Sequence, residues 1–169
     1  VDNNKCISCN KCVKSCPQIV YSELNEPVAC YASFPILEQR NQKYSSGGAA
    51  SLIAKRFIQK HKGVVCGCTW DGKNRCAKHI VITEIDQLEK LCGSKYVQSD
   101  ISGIYEDIKR YIDCKTEVLF IGTPCQVDAV AKYCKSEYLY TIDLICHGTP
   151  PASYLSDYIK TLPNYKEIK

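Results

Sequence analysis

Four cysteines fall within eleven residues, spaced Cys6-x2-Cys9-x2-Cys12-x3-Cys16 and closed by Pro17. Turns of two intervening residues bring successive sulfurs to neighbouring irons, so three thiolates at this spacing wrap one face of a 4Fe-4S cube. Structural zinc sites prefer paired Cys-x2-Cys knuckles separated by a longer loop. The fourth sulfur, just before a proline, is the one that serves the other cluster in two-cluster proteins of this kind. Only one run is present in the sequence, so Cys6, Cys9 and Cys12 need a further ligand and Cys16 needs a second cluster. An upstream run or Cys30 are the two sources of the missing sulfur.

The chain carries 13 Cys and no Met in 169 residues. An odd count rules out a fully paired disulfide framework, and close spacing argues against a looped secreted scaffold, so metal or redox chemistry in a reducing cytoplasm is expected. The first residues, Val1-Asp2-Asn3-Asn4, resemble neither a signal peptide nor a processed secretory start, and we read the chain as an internal piece of a longer one. With 45% hydrophobic and 24% charged residues it has the composition of a folded domain. No apolar run approaches the ~18 residues of a membrane span. The net charge of +4 is scattered rather than clustered, which gives no footprint for nucleic acid.

Downstream of the cysteine run, a polar, Pro-punctuated stretch predicts a linker with one short strand at 28–34. Regular apolar periodicity then begins. It predicts a helix over 48–61 with Leu52, Ile53 and Phe57 on one face, strands at 64–70 and 79–83, and a helix over 103–111 bearing Ile104, Ile108 and Tyr111. The wholly apolar run 118–121 has the character of a central strand buried on both faces. A helix opening just after Pro124 carries Val127, Val130, Ala131 and Cys134. A strand at 140–145 and a helix bearing Leu155, Tyr158, Ile159 and Leu162 follow. Strand and helix in alternation predict an α/β layer with a mixed or mostly parallel central sheet.

Cys125 follows the buried strand at the first turn of the next helix, and Cys146 follows the strand after that. If the two strands are parallel neighbours, both sulfurs emerge at the carboxyl edge, where open α/β sheets bind ligands. The alternative is that both are small buried hydrophobes. Cys66 and Cys68 lie on one strand, and only one of them is expected to face the core; Cys134 is expected to pack. Cys76, Cys92 and Cys114 carry no assignment. Three turns have the composition of anion cradles: Ser45-Ser46-Gly47-Gly48 before a helix, Gly93-Ser94-Lys95-Tyr96 with a cation and an aromatic face, and Gly122-Thr123-Pro124. None is a G-x-G-x-x-G dinucleotide fingerprint. Of the histidines, only His147 adjoins a candidate site.

The order of these motifs resembles the coenzyme F420 hydrogenase/dehydrogenase beta-subunit family. It comprises the ferredoxin-type run, Ser46-Gly47-Gly48, Gly93-Ser94-Lys95-Tyr96-Val97-Gln98-Ser99, Gly122-Thr123-Pro124-Cys125-Gln126, and Asp143-Leu144-Ile145-Cys146-His147-Gly148-Thr149-Pro150. The resemblance implies a cytoplasmic iron-sulfur flavoprotein oxidoreductase that passes electrons between 4Fe-4S clusters and FAD. From FAD they would go to a two-electron carrier such as a deazaflavin or nicotinamide, or to a small-molecule substrate, with ferredoxin or another redox protein as partner. It assigns Cys6, Cys9, Cys12, Cys16, Cys125 and Cys146 to metal, and Ser46, Gly47, Gly48, Ser94, Lys95, Tyr96, Thr123, Pro124 and Gln126 to the flavin. Members commonly carry two ferredoxin runs and a later Cys-x2-Cys pair, so the chain is expected to be truncated at both ends and inactive alone. Residues 1–26 are then a partial 4Fe-4S segment and residues 27–169 the N-terminal part of the flavin domain. Two other readings remain: a non-catalytic electron carrier with a vestigial flavin site, and a zinc-stabilised interaction module.

Overall fold

The computed structural model describes residues 3–20, 22–23, 26–32 and 48–164. The elements run α1 (Lys11–Ser15), α2 (Ala49–His61), β1 (Val64–Asp71), β2 (Cys76–Ile82), a 3-10 helix (Ile85–Leu91), α3 (Ile104–Asp113), β3 (Val118–Gly122), α4 (Pro124–Cys134), β4 (Leu139–Asp143) and α5 (Ala152–Thr161). The strands form one sheet in the order β2-β1-β3-β4. β1 and β2 are an antiparallel hairpin, whereas β1 with β3 and β3 with β4 are parallel.

β3 is the centre of this arrangement because its five residues, Val-Leu-Phe-Ile-Gly, have nothing polar to expose, and all of them are buried. Successive side chains of a strand point to opposite faces, so β3 feeds two cores. Leu119 and Ile121 meet Ala54, Phe57 and Ile58 of α2, with Leu88 of the 3-10 helix. Val118 and Phe120 meet Ile104 and Ile108 of α3, with Val127 and Val130 of α4. The sheet is therefore a middle layer between helices, the solution that buries both of its faces. Each large side chain sealed in this way contributes ~1.5–3 kcal/mol.

Several details differ from what the sequence pattern predicts. The buried stripe of α2 is Ala54, Phe57 and Ile58, while Ile53 turns outward at 51% exposed. Residues 28–32 form no strand, and Ser33 and Phe34 lie outside the described residues. β2 starts at Cys76, earlier than the β-branched run alone indicates, because Asp71 closes the hairpin turn. Its Oδ1 accepts the Lys73 and Asn74 N–H groups at 3.1 Å, and its Oδ2 accepts from Lys78 Nζ at 2.7 Å. β4 ends at Asp143, after which the Leu144 N–H donates once more to Gly122 C=O and Ile145 stands fully in solvent. Cys66 and Cys68, two residues apart on β1, share a face rather than opposing each other. Cys66 lies inside the core and Cys68 at its margin. On α5, Ile159 is buried but Tyr158 is exposed.

β1 is longer than its parallel neighbour. Its pairing with β3 covers Val64 to Cys66, and its remaining residues to Asp71 pair with β2.

The cysteine-rich segment is attached to this body through α4. α1 packs against α4. The Lys132 ammonium donates to Val20 C=O, and the Ser22 hydroxyl donates to Asp128 at 2.6 Å. Among the described residues no helix is long and apolar enough to cross a membrane.

Candidate functional site

Parallel strands that end together leave a row of turns along one edge of the sheet, and the loops after β3 and β4 form that row here. Gly122 pairs with Asp143, the last residue of β4. Cys125 follows one strand by three residues and Cys146 follows the other by three. Cys125 is exposed and Cys146 half-buried, so packing in a core does not account for either. The Cys125 Sγ lies 3.2 Å from Thr123 Oγ1, and Cys146 Sγ accepts from the Gly148 N–H at 3.4 Å.

Two more segments reach the same edge. Ser99, in the loop before α3, accepts a hydrogen bond from Gln126 Nε2 at 2.9 Å. The Gln98 N–H donates to Pro150 C=O at 3.0 Å, which fastens that loop to the turn after Cys146. Ser51, in the first turn of α2, lies 3.6 Å from Cys92 Sγ, so the helix that opens at Gly48 starts beside the loop 92–99. Gly48 itself caps α2 at φ 70°, a left-handed conformation that favours glycine. The four segments named by motif thus converge, apart from Ser46 and Gly47, which lie outside the described residues.

The side chains divide into those facing out and those serving the frame. Tyr96 is 79% exposed. Lys95, read from sequence as a cation for an anionic ligand, donates instead to Leu91 C=O at 3.0 Å and Cys92 C=O at 2.8 Å, closing the end of the 3-10 helix. Burial pushes its ammonium down, and the Cys68 and Cys92 thiols oppose that shift. Gln126 is buried, and its Oε1 accepts the Thr123 N–H at 3.1 Å. It works as the inward-facing cap of α4. Ser94 is placed in the turn between Gly93 and Lys95, and Thr123 and Pro124 form the helix start itself.

Sequence reasoning passed over His79, which belongs to this site. It is buried on β2, its ring stacked on Phe120 with centroids 5.2 Å apart and planes 14° apart. Its Nε2 lies 3.1 Å from Ile121 C=O and its Nδ1 3.1 Å from Ser99 Oγ. Burial pushes the imidazole below its ordinary value, the Ile121 carbonyl partly offsets this, and the Lys95 charge adds to the depression. The signal available in sequence was a lone polar residue at an inward position of an apolar strand. Nearby, burial raises the Cys68 thiol, with Lys95 and a hydrogen bond to Ser99 opposing. Burial first, and then the charge of Cys125, pushes Tyr105 up to about 12 while its hydroxyl donates to Gln126 C=O.

The ferredoxin-type run has a different character. Cys6, Cys9 and Cys12 are exposed and Cys16 is half-buried. Ser8 and Asn10 take left-handed φ of 54° and 58°, so the chain turns sharply between successive cysteines. Among the described residues, no three His, Cys, Asp or Glu close on one point in metal-holding geometry. The donor set nonetheless suits an iron-sulfur cluster: accessible thiols in sharp turns at two-residue spacing.

Residues 115–168 match the family described as the C terminus of the coenzyme F420 hydrogenase/dehydrogenase beta subunit. A chain of the xenon-derivatised F420-reducing NiFe hydrogenase complex from Methanosarcina barkeri shares the fold, with a TM-score of 0.56 at 20% identity. That likeness covers 71% of this chain and 44% of the other, so this chain spans less than half the length of its structural neighbour. No curated protein matches the chain.

Proposed function

We propose that this chain, whose residues 115–168 match the C terminus of the coenzyme F420 hydrogenase/dehydrogenase beta subunit, is a member of that family and the electron-transfer core of an iron-sulfur flavoprotein oxidoreductase. Cys6, Cys9, Cys12 and Cys16 hold 4Fe-4S clusters at the exposed end, and Cys125 and Cys146 supply two ligands of a cluster at the sheet edge. Gly48, Ser94, Tyr96, Thr123 and Pro124, with Ser46 and Gly47 by motif, would hold FAD along the remainder of that edge, and Lys95 and Gln126 would brace the turns on which they stand. A bound flavin supplies the exchange between single-electron and two-electron transfer. The protein's part is to bring the two cysteine groups onto one scaffold, and α4 does so.

The observation that carries this reading is the double role of α4. Its first turn presents Cys125, and its Asp128 and Lys132 hold the segment that follows Cys16. The likeness to a chain of a hydrogenase complex supports assembly with further redox proteins. A deazaflavin, a nicotinamide or a small molecule would then be the two-electron partner.

Anaerobic expression followed by iron, sulfide, zinc and flavin analysis tests the proposal. We expect iron and sulfide in equal amounts with bound flavin, and Cys9→Ser to lower the iron content without removing the flavin. Stoichiometric zinc without iron would instead identify an interaction module, and iron without flavin a plain electron carrier.

A further inference from the structure

Two peptide groups flank Gly122, the N–H of Thr123 and the C=O of Ile121, and one chain of side-chain hydrogen bonds joins them. The Thr123 N–H can only donate, so Gln126 Oε1 accepts it and Gln126 Nε2 faces Ser99 Oγ. At the other end the Ile121 carbonyl can only accept, so His79 Nε2 carries the proton. The neutral Nδ1 is then an acceptor, and the Ser99 hydroxyl donates to it. Burial keeps the imidazole and the Cys68 thiol neutral near neutral pH, and the remaining polarities then follow from the two backbone groups at the ends. With Gly122 closing the circuit, the result is a ring that ties β2, the loop before α3 and the β3–α4 junction together.

The ring leaves no space at its closing residue. A Cβ on Gly122 would lie 2.7 Å from Phe120 Cε1 and 3.1 Å from Gln126 Oε1. Because both ends are peptide groups, which do not titrate, the ring is not a path for protons. Its effect is geometric: it fixes the angle at which the chain leaves β3 and enters α4.

We infer that His79, Ser99 and Gln126 are positioning residues for Cys125, setting the direction in which its sulfur faces the sheet edge. The purpose of that positioning rests on the redox reading of Cys125, but the ring stands on its own contacts. Two variants at one position separate positioning from bulk packing. His79→Gln keeps a donor for Ile121 and an acceptor for Ser99, whereas His79→Phe keeps the stacked ring and loses both.

In the reduced, metal-free 169-residue chain, alkylation of Cys125 by iodoacetamide is followed by peptide mass spectrometry. His79→Phe and Ser99→Ala should each change its rate by roughly five- to tenfold, in line with the loss of one or two hydrogen bonds, and His79→Gln should restore it to within about twofold. Nitrogen NMR of the unaltered chain near neutral pH should show His79 as the neutral, Nε2-protonated tautomer, a readout that survives if a variant fails to fold. An Nδ1-protonated ring, an imidazolium, or a Cys125 rate untouched by a folded His79→Phe would overturn the inference. Neither readout involves a cofactor, so a chain that binds no iron or flavin refutes the proposed function and leaves the ring intact.

Discussion

Ser22 donates to Asp128 at 2.6 Å across 106 residues of sequence, and on the same helix Lys132 pairs with Asp128 at 2.7 Å while donating to Val20 C=O. This small cluster holds the cysteine-rich segment to α4. Burial raises the Asp128 carboxyl, but the Lys132 and Ser22 hydrogen bonds together bring it below its ordinary value.

Removing the cluster should release the segment without unfolding the body. Partly exposed ion pairs are worth ~1 kcal/mol or less, so Asp128→Ala should barely move the melting temperature. Amide exchange at residues 16–20 should nevertheless accelerate, while β3 stays protected. Unchanged exchange in that segment would show that α1 packing alone holds it.

The depressed His79 titration makes stability depend on pH with a definite sign. The unfolded chain takes up a proton near pH 6.5, whereas the folded chain resists it to lower pH. Between those values the unfolded state binds more protons, so stability falls as pH falls below about 6.5 and is fully present above it. Denaturant titrations on either side of that pH should show the loss, and His79→Gln should remove this component. A Gln variant with the same pH slope as the parent would place the effect on another group.

Gly122→Ala should be destabilising by ~1–3 kcal/mol, because the added methyl meets the Phe120 ring and the Gln126 amide. Phe120→Ala should cost more, about 3–5 kcal/mol, since the ring is fully buried between His79 and Tyr105. Urea midpoints of the two variants check both the sizes and their order. Equal losses would mean that the neighbours of Gly122 yield more readily than their spacing implies.

Thiol reactivity should follow burial. In metal-free, reduced protein Cys6, Cys9, Cys12 and Cys125 should be alkylated in the native state. Cys66 should resist until the chain unfolds, because burial, then the charges of Asp107 and Cys68, push its thiol far up. Cys134, pushed up to about 11 chiefly by burial, should be slow. Rapid native labelling of Cys66 would show that the α3–β1 contact opens readily.

Much of this architecture was legible because β3 and the strands beside it are written in apolar and β-branched residues, and Pro124 marks a helix start without ambiguity. The motifs also mark the loops that meet at the sheet edge: Ser99 and Gln126 both lie in them. What the sequence could not show was the direction of individual side chains. Lys95 and Gln126 read as ligands facing a cofactor, yet both satisfy backbone groups of their own frame, a choice decided by tertiary distances. His79 has no ligand spacing in the sequence, and only its inward position on β2, opposite to that of Lys78, marks it out. The 3-10 helix Ile85–Leu91 was missed for a related reason: its Asp-Gln-Leu-Glu-Lys segment has too few apolar positions to establish a period.

The unequal lengths of β1 and β3 give the site a handedness of approach. Past Cys66, the hairpin continues for five residues beyond the last β3 pairing, and three of these lie past the level of Gly122. At ~3.3 Å per residue, that is a parapet about 10 Å high along one flank. On the other flank β4 stops level with Gly122. Among the described strands, the edge is therefore lower on the β4 side, while the hairpin shelters the other. Lengthening or shortening the turn after Asp71 would alter that shelter without disturbing either core.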